Sequence, residues 1–94
     1  MADSAYKINV ARACTAVACA ATATLLIAAD TKRRAVVVKN NHASVVMYIG
    51  NSDVAVATGF PLAAGESFTD ADCTTALYGI MASGTGDARV YAVK

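Results

Sequence analysis

Apolar and polar residues alternate with a period of two from Tyr6 onward. Tyr6, Ile8, Val10 and Cys14 fall on one side; Lys7, Asn9, Ala11 and Ala13 fall on the other. A period of two predicts a half-buried strand. Further strands are predicted at "ATLLIAA" from Ala23, at "RRAVVVKN" with its β-branched run Val36 to Val38, and at "SVVMYIG" from Ser44. In the last of these, Val45, Met47 and Ile49 oppose Val46 and Tyr48. "ESFT" at Glu66 is short, and "TALYGIMA" and "ARVYAV" complete the set. Only Cys14 to Thr24 reads equally well as helix, because alanine is the best helix former; its threonines and cysteines dilute that preference. The pattern predicts an all-β fold, a small antiparallel β-sandwich or barrel of about seven strands. Residues 1–22 form an N-terminal arm or first strand, and residues 23–94 the sandwich domain.

Turn chemistry separates the strands. The glycines of "SGTGD", Ser83 to Asp87, allow the positive φ of a tight hairpin turn, and "NNHA" plays the same role between the third and fourth strands, since Asn tolerates the left-handed conformation. The longest interruption is "GNSDVAVATGFPLAAGES", Gly50 to Ser67. Pro61 holds Phe60 extended and donates no hydrogen bond, so this part is an edge or a crossover. Gly65 takes the predicted φ > 0 position. Phe60, Leu62 and Phe68 are expected to pin the segment to the core, with "NSDVAVAT" displayed outward. The spacing of Gly50, Gly59 and Gly65 matches no phosphate-binding loop, so the segment reads as a sheet-to-sheet arch.

Composition changes the picture in one respect. Hydrophobic residues make up 56% of the 94-residue chain, yet twenty-two of them are alanine, two are Phe and none is Trp. Apolar burial contributes about 25 cal/mol per Å², so an alanine-rich core yields less than the percentage suggests. Small chains with thin cores generally gain support from disulfides, metals or oligomerisation. The net charge of +1 shows no basic excess of the kind that nucleic-acid binders carry. The one cluster, Lys32, Arg33 and Arg34, reads as a solvated strand entry or as a patch that meets an acidic partner.

Candidate chemistry is sparse. Cys14, Cys19 and Cys73 are an odd set without the four ligands of a closed zinc site, and buried free thiols are expected. His42 lies in a turn-like polar cluster without a nucleophile signature beside it. No serine lies in G-x-S-x-G. Asp70 and Asp72 form a D-x-D, too few acids for a calcium loop. The stretch from Val10 to Ala29 approaches membrane-span length but is mostly Ala and Thr, which argues against insertion or export. The expectation is a protein without catalytic, metal or cofactor-binding residues, with neither nucleic acid nor membrane as a partner.

The order of segments carries a resemblance. A strand entered through basic residues leads to "VVVKNN", followed by "MYIG", an arch "TGFPLAAGES", then "ALYGIMASGT" and a last strand with "ARV". This succession resembles small structural proteins of tailed bacteriophages over Ala23 to Val93. The resemblance implies a β-sandwich on the virion, as a capsid decoration (cement) protein, with the major capsid protein as partner and a homo-oligomer, trimer or dimer, as the working form. The alternative is a fibre- or tail-associated β-domain that binds a host-surface carbohydrate or another virion protein. Candidate partner contacts are Tyr6, Lys7 and Ile8 on the N-terminal segment, added as a strand to a neighbour's edge, and Lys32, Arg33 and Arg34. Most aromatic residues are expected in the core.

Overall fold

The computed structural model describes residues 12–71 and 74–94. Eight strands are present: β1 (Arg12–Cys19), β2 (Thr24–Ile27), β3 (Ala35–Asn40), β4 (Met47–Gly50), β5 (Phe60–Leu62), β6 (Ser67–Ala71), β7 (Leu77–Met81) and β8 (Gly86–Val93). They form two antiparallel four-stranded sheets, ordered β1-β8-β3-β6 and β2-β7-β4-β5. Cys14 to Cys19, equally readable as helix, is strand: it pairs residue for residue with Gly86 to Tyr91 of β8. The all-β expectation holds, with one strand more than foreseen because "FPL" pairs with β4.

The pairing has a simple logic. β1 pairs with β8, β2 with β7, β3 with β6 and β4 with β5. The first half of the chain and the second half form one long antiparallel ribbon that folds over into two layers, joined laterally by β3 with β8 and β4 with β7. This is the connectivity of an eight-stranded jelly roll. The ribbon reverses at residues 51–59, so that loop is a hairpin within one sheet, and only the short turn 63–66 crosses between sheets. The expected arch therefore shrinks to four residues. Conversely, "NNHA" and "SGTGD" were expected to be hairpin turns but carry the chain from one sheet to the other. Gly65 and Gly84 do adopt positive φ, 81° and 63°. The local turn chemistry was legible; the sheet to which the chain returns is set by tertiary pairing.

Inward positions alternate as the pleat demands. Val36 and Val38 of β3, Ala88, Val90 and Ala92 of β8, and Met47, Ile49, Leu62, Leu77 and Met81 of the second sheet are buried. In β2 the register shifts between Leu25 and Ile27. A strict period of two would put Leu25 and Ile27 on one face. The bulge leaves Leu25 exposed and turns Leu26 and Ile27 toward the core. No described aromatic is buried: Tyr48, Phe68 and Tyr78 are half-buried and Tyr91 is exposed. Phe60, expected as an anchor, is 56% exposed and stacks at 5.4 Å on Phe68, while Leu62 alone anchors β5.

Asn40 is fully buried. Its Nδ2 donates to the carbonyls of Val45 (2.8 Å) and Leu62 (2.9 Å), and its Oδ1 accepts from the His42 amide at 3.1 Å. Its backbone closes the turn before β6, donating to Glu66 O and accepting from Gly65 N. One side chain thus satisfies a strand end in each sheet. Removing it orphans two carbonyls, each worth about 1–3 kcal/mol when buried unpaired. Asn40→Ala is expected to lower unfolding free energy by about 2–5 kcal/mol, measured by urea denaturation, with Asn40→Asp no better because it removes the same donors.

Candidate interaction surface

The opposite end of the sandwich is held by Arg33. Its backbone N donates to Asp30 O at 3.1 Å, while Nη1 donates to Ala28 O at 2.9 Å and Nη2 donates to Thr75 O. The side chain is 3% exposed, which corrects the expectation that it is a solvated or partner-contacting cation. A buried guanidinium is tolerable only when its donors are used, and here carbonyls from two connecting loops use them. Asp30 completes the knot: its N donates to Thr74 O at 2.8 Å, its Oδ1 accepts from Lys32 N at 2.9 Å, and its Oδ2 meets Lys94 Nζ at 2.8 Å. Of the "KRR" cluster only Lys32 and Arg34 remain at the surface. Tyr6, Lys7 and Ile8 lie outside the described residues, as do Asp72 and Cys73.

Register brings together cations that are distant in sequence. Arg12 pairs with Val93, the Arg34 amide donates to Val93 O at 2.7 Å, and Lys94 follows Val93. Arg12, Arg34 and Lys94 are all exposed. Beside them lies the outer face of the first sheet. Successive rows across β1, β8, β3 and β6 read Arg12–Val93–Ala35–Ala71, then Cys14–Tyr91–Val37–Thr69. The third row is polar, with Arg89 between Ala16 and Lys39. Arg89 is held by Asp87 at 2.8 Å. The result is a flat plateau of small and apolar side chains centred on Tyr91 and bordered by cations at one end. Cys14, expected to be buried with the apolar side of its strand, stands on this outer face. Cys19 is the buried thiol, and burial pushes its pKa up against the opposing hydrogen bond from Thr24.

Between the sheets on the β1–β2 side lies a half-open groove of about 360 Å³, lined by Ala13, Thr15, Leu26, Ile27, Val90 and Ala92, with the Asp30–Lys94 pair also on its wall. It exists because the inward positions of β1 carry Ala13 and Thr15. Sheets stack about 10 Å apart, and such short side chains do not reach across. Nothing in the groove activates a nucleophile. His42, at the other end, uses Nδ1 to accept the amides of Ser44 and Val45 at 3.0 Å each, which is the turn role its setting suggested. Among the described residues no three His, Cys, Asp or Glu side chains converge in a metal-holding group, and no helix is long and apolar enough to cross a membrane. Comparison of the chain with protein-family models and with curated proteins finds no match.

Sequence reasoning reached the basic entry of β3 but missed Arg12 and Lys94, which join Arg34 only because the first and last strands pair. It also missed Asn40, whose type and position read as an ordinary turn residue.

Two outcomes follow from these contacts. Arg33→Ala leaves loop carbonyls unpaired and is expected to cost about 2–4 kcal/mol, whereas Arg34→Ala, at the surface, stays within about 0.5 kcal/mol; urea unfolding of both variants measures the difference. The second concerns acid. The Lys94 hydrogen bond, followed by the Lys32 amide, holds the Asp30 carboxyl below its ordinary range, and Arg89, followed by Asn41, does the same for Asp87. A folded pKa below the unfolded value stabilises fully above the unfolded value, about 3.9 for Asp, and the contribution disappears as pH falls through the folded value. The urea midpoint is therefore expected to decline as pH is lowered below about 4, and the decline is shallower in an Asp30→Asn, Asp87→Asn double variant.

Proposed function

We propose that this protein is a non-enzymatic structural protein of a tailed-bacteriophage virion, a decoration (cement) protein that binds the assembled head across neighbouring copies of the major capsid protein. The observation that carries this reading is the uncovered plateau around Tyr91 with Arg12 and Arg34 at its border. A flat apolar face of short side chains suits close contact with another folded surface, and the cations select one with acidic groups beside its apolar area. The succession of strand and turn segments that resembles phage structural proteins supplies the class of partner.

The mechanism is mass action. A protein that binds the assembled shell and not its dissociated subunits stabilises the shell by its binding free energy at every occupied site. Specific contacts generally bury about 1,200–2,000 Å² in total, a large share of so small a molecule, so a homo-oligomer that combines two or three plateaus is the favoured working form. The virion is then its location. The alternative, a fibre- or tail-associated domain that binds surface carbohydrate, draws on the exposure of Phe60 and Tyr91, since sugar sites use accessible aromatic rings.

Co-sedimentation with purified heads of the encoding phage separates the two. Saturable binding in a fixed ratio to capsid protein is expected, weakened at least about tenfold by Tyr91→Glu or by the Arg12→Glu, Arg34→Glu pair. Failure to bind heads, with binding to host cells that free oligosaccharide competes away, overturns the decoration reading in favour of the alternative.

A further inference from the structure

The two sheets have four edge strands, and the chain treats one of them differently. An edge presents unpaired backbone groups to any passing strand, and proteins blunt that hazard with short strands, prolines, bulges or inward charges. β5 has three residues with Pro61 in the middle. β2 has four residues and the bulge at Leu26. β6 carries Asp70 opposite the buried Val36, so a carboxylate stands on the face turned toward the other sheet. β1 has none of these devices. It runs eight residues, "RACTAVAC", in unbroken register with β8. Its only charge is Arg12, at its first position and on the outer face. Among the described residues no strand pairs with its second edge.

We propose that β1 is an assembly edge, and that its partner is β1 of a second copy of this chain, paired antiparallel about a two-fold axis near Ala16, so that two four-stranded sheets become one of eight strands. The position of Arg12 selects both partner and direction. In a parallel pair, two Arg12 side chains would lie about 5 Å apart, strand to strand. In the antiparallel pair they sit at opposite ends, about 20 Å or more apart, beyond the screening length of about 8–10 Å. The small side chains of Cys14, Ala16 and Ala18 let the second strand approach without a steric barrier on the outer face. Antiparallel partners directly opposite share a face, so the pairing also joins the two Tyr91 plateaus on one side of the extended sheet. Symmetry of this kind closes the assembly at two copies, because each β1 is consumed by the other.

Edge pairing of eight residues buries less than the roughly 800 Å² per partner of a tight complex. The dimer is therefore expected to be weak, with dissociation in the micromolar to submillimolar range. This inference stands on the edge strand and not on the virion reading, and its test uses no capsid.

Sedimentation equilibrium of the full-length chain is expected to show a reversible monomer–dimer equilibrium. Ala16→Lys and Ala16→Glu, each at an exposed position beside the axis, are expected to weaken self-association at least about tenfold while far-ultraviolet circular dichroism retains the β spectrum. An equimolar mixture of the two variants is expected to restore a dimer, since opposite charges then meet across the axis, a result that mere loss of folding cannot produce. A chain that stays monomeric at millimolar concentration overturns the proposal. So does a dimer indifferent to both substitutions, or an intact monomer that dimerises only when residues 1–11 are removed, which would assign the edge to the chain's own N-terminal segment.

Discussion

The register of the first sheet depends on one buried amide. β3 offers three consecutive valines, Val36 to Val38, which would fill the core equally well with either face inward. A one-residue slip exchanges the faces of a strand, and apolar burial alone gives β3 little reason to prefer one. Asn40 breaks the tie. In the observed register Lys39 points to solvent and Asn40 points inward, where the Val45 and Leu62 carbonyls and the His42 amide meet it. In the slipped register Lys39 would be buried and both carbonyls would lose their donor. Because β3 is a central strand, paired with β6 on one side and β8 on the other, its register fixes theirs, and through β8 that of β1.

Arg33 does for the opposite end what Asn40 does for this one, with a different balance of terms. A buried guanidinium carries a large desolvation cost, offset only by complete hydrogen bonding. It joins the loop after β2 to the loop before β7, so both sheets are tied at both ends by side chain to backbone bonds rather than by bulky packing. That arrangement suits a core made of Val, Met, Leu and Ala without buried aromatic rings. The interior supplies modest apolar burial, and directional bonds at the ends supply uniqueness.

Much of the strand content was legible, because period-two alternation survives wherever a strand has one wet face. Met47 and Ile49 opposite Tyr48, and the turn glycines Gly65 and Gly84, are where the pattern placed them. Three kinds of feature were not legible. Topology was hidden because turn chemistry marks a reversal without naming the sheet that receives it, so hairpins and crossovers were exchanged. The bulge at Leu26 breaks the period that would have revealed it. Residues acting through their partners, Asn40 and Arg33, look like a turn former and a surface cation until the carbonyls they satisfy are known. The candidate surface was half legible for the same reason: Lys32 to Arg34 are contiguous, but Arg12 and Lys94 reach Arg34 only through the pairing of first and last strands.

That pairing also explains why alanine is concentrated where it is. In a ribbon folded end to end, β1 closes on β8 after every other strand has a neighbour, so its outer edge is the last backbone surface left without an internal partner. Large inward side chains on β1 would seal the groove against β2 and thicken the core, and charged outward ones would protect the edge. The chain instead places Ala13, Thr15, Ala16 and Ala18 there. Small residues on both faces weaken the monomer slightly and leave a flat strand whose main chain is accessible. A sequence selected only for monomer stability has no reason to make that choice. One that works by laying its backbone and the plateau around Tyr91 against other folded chains does.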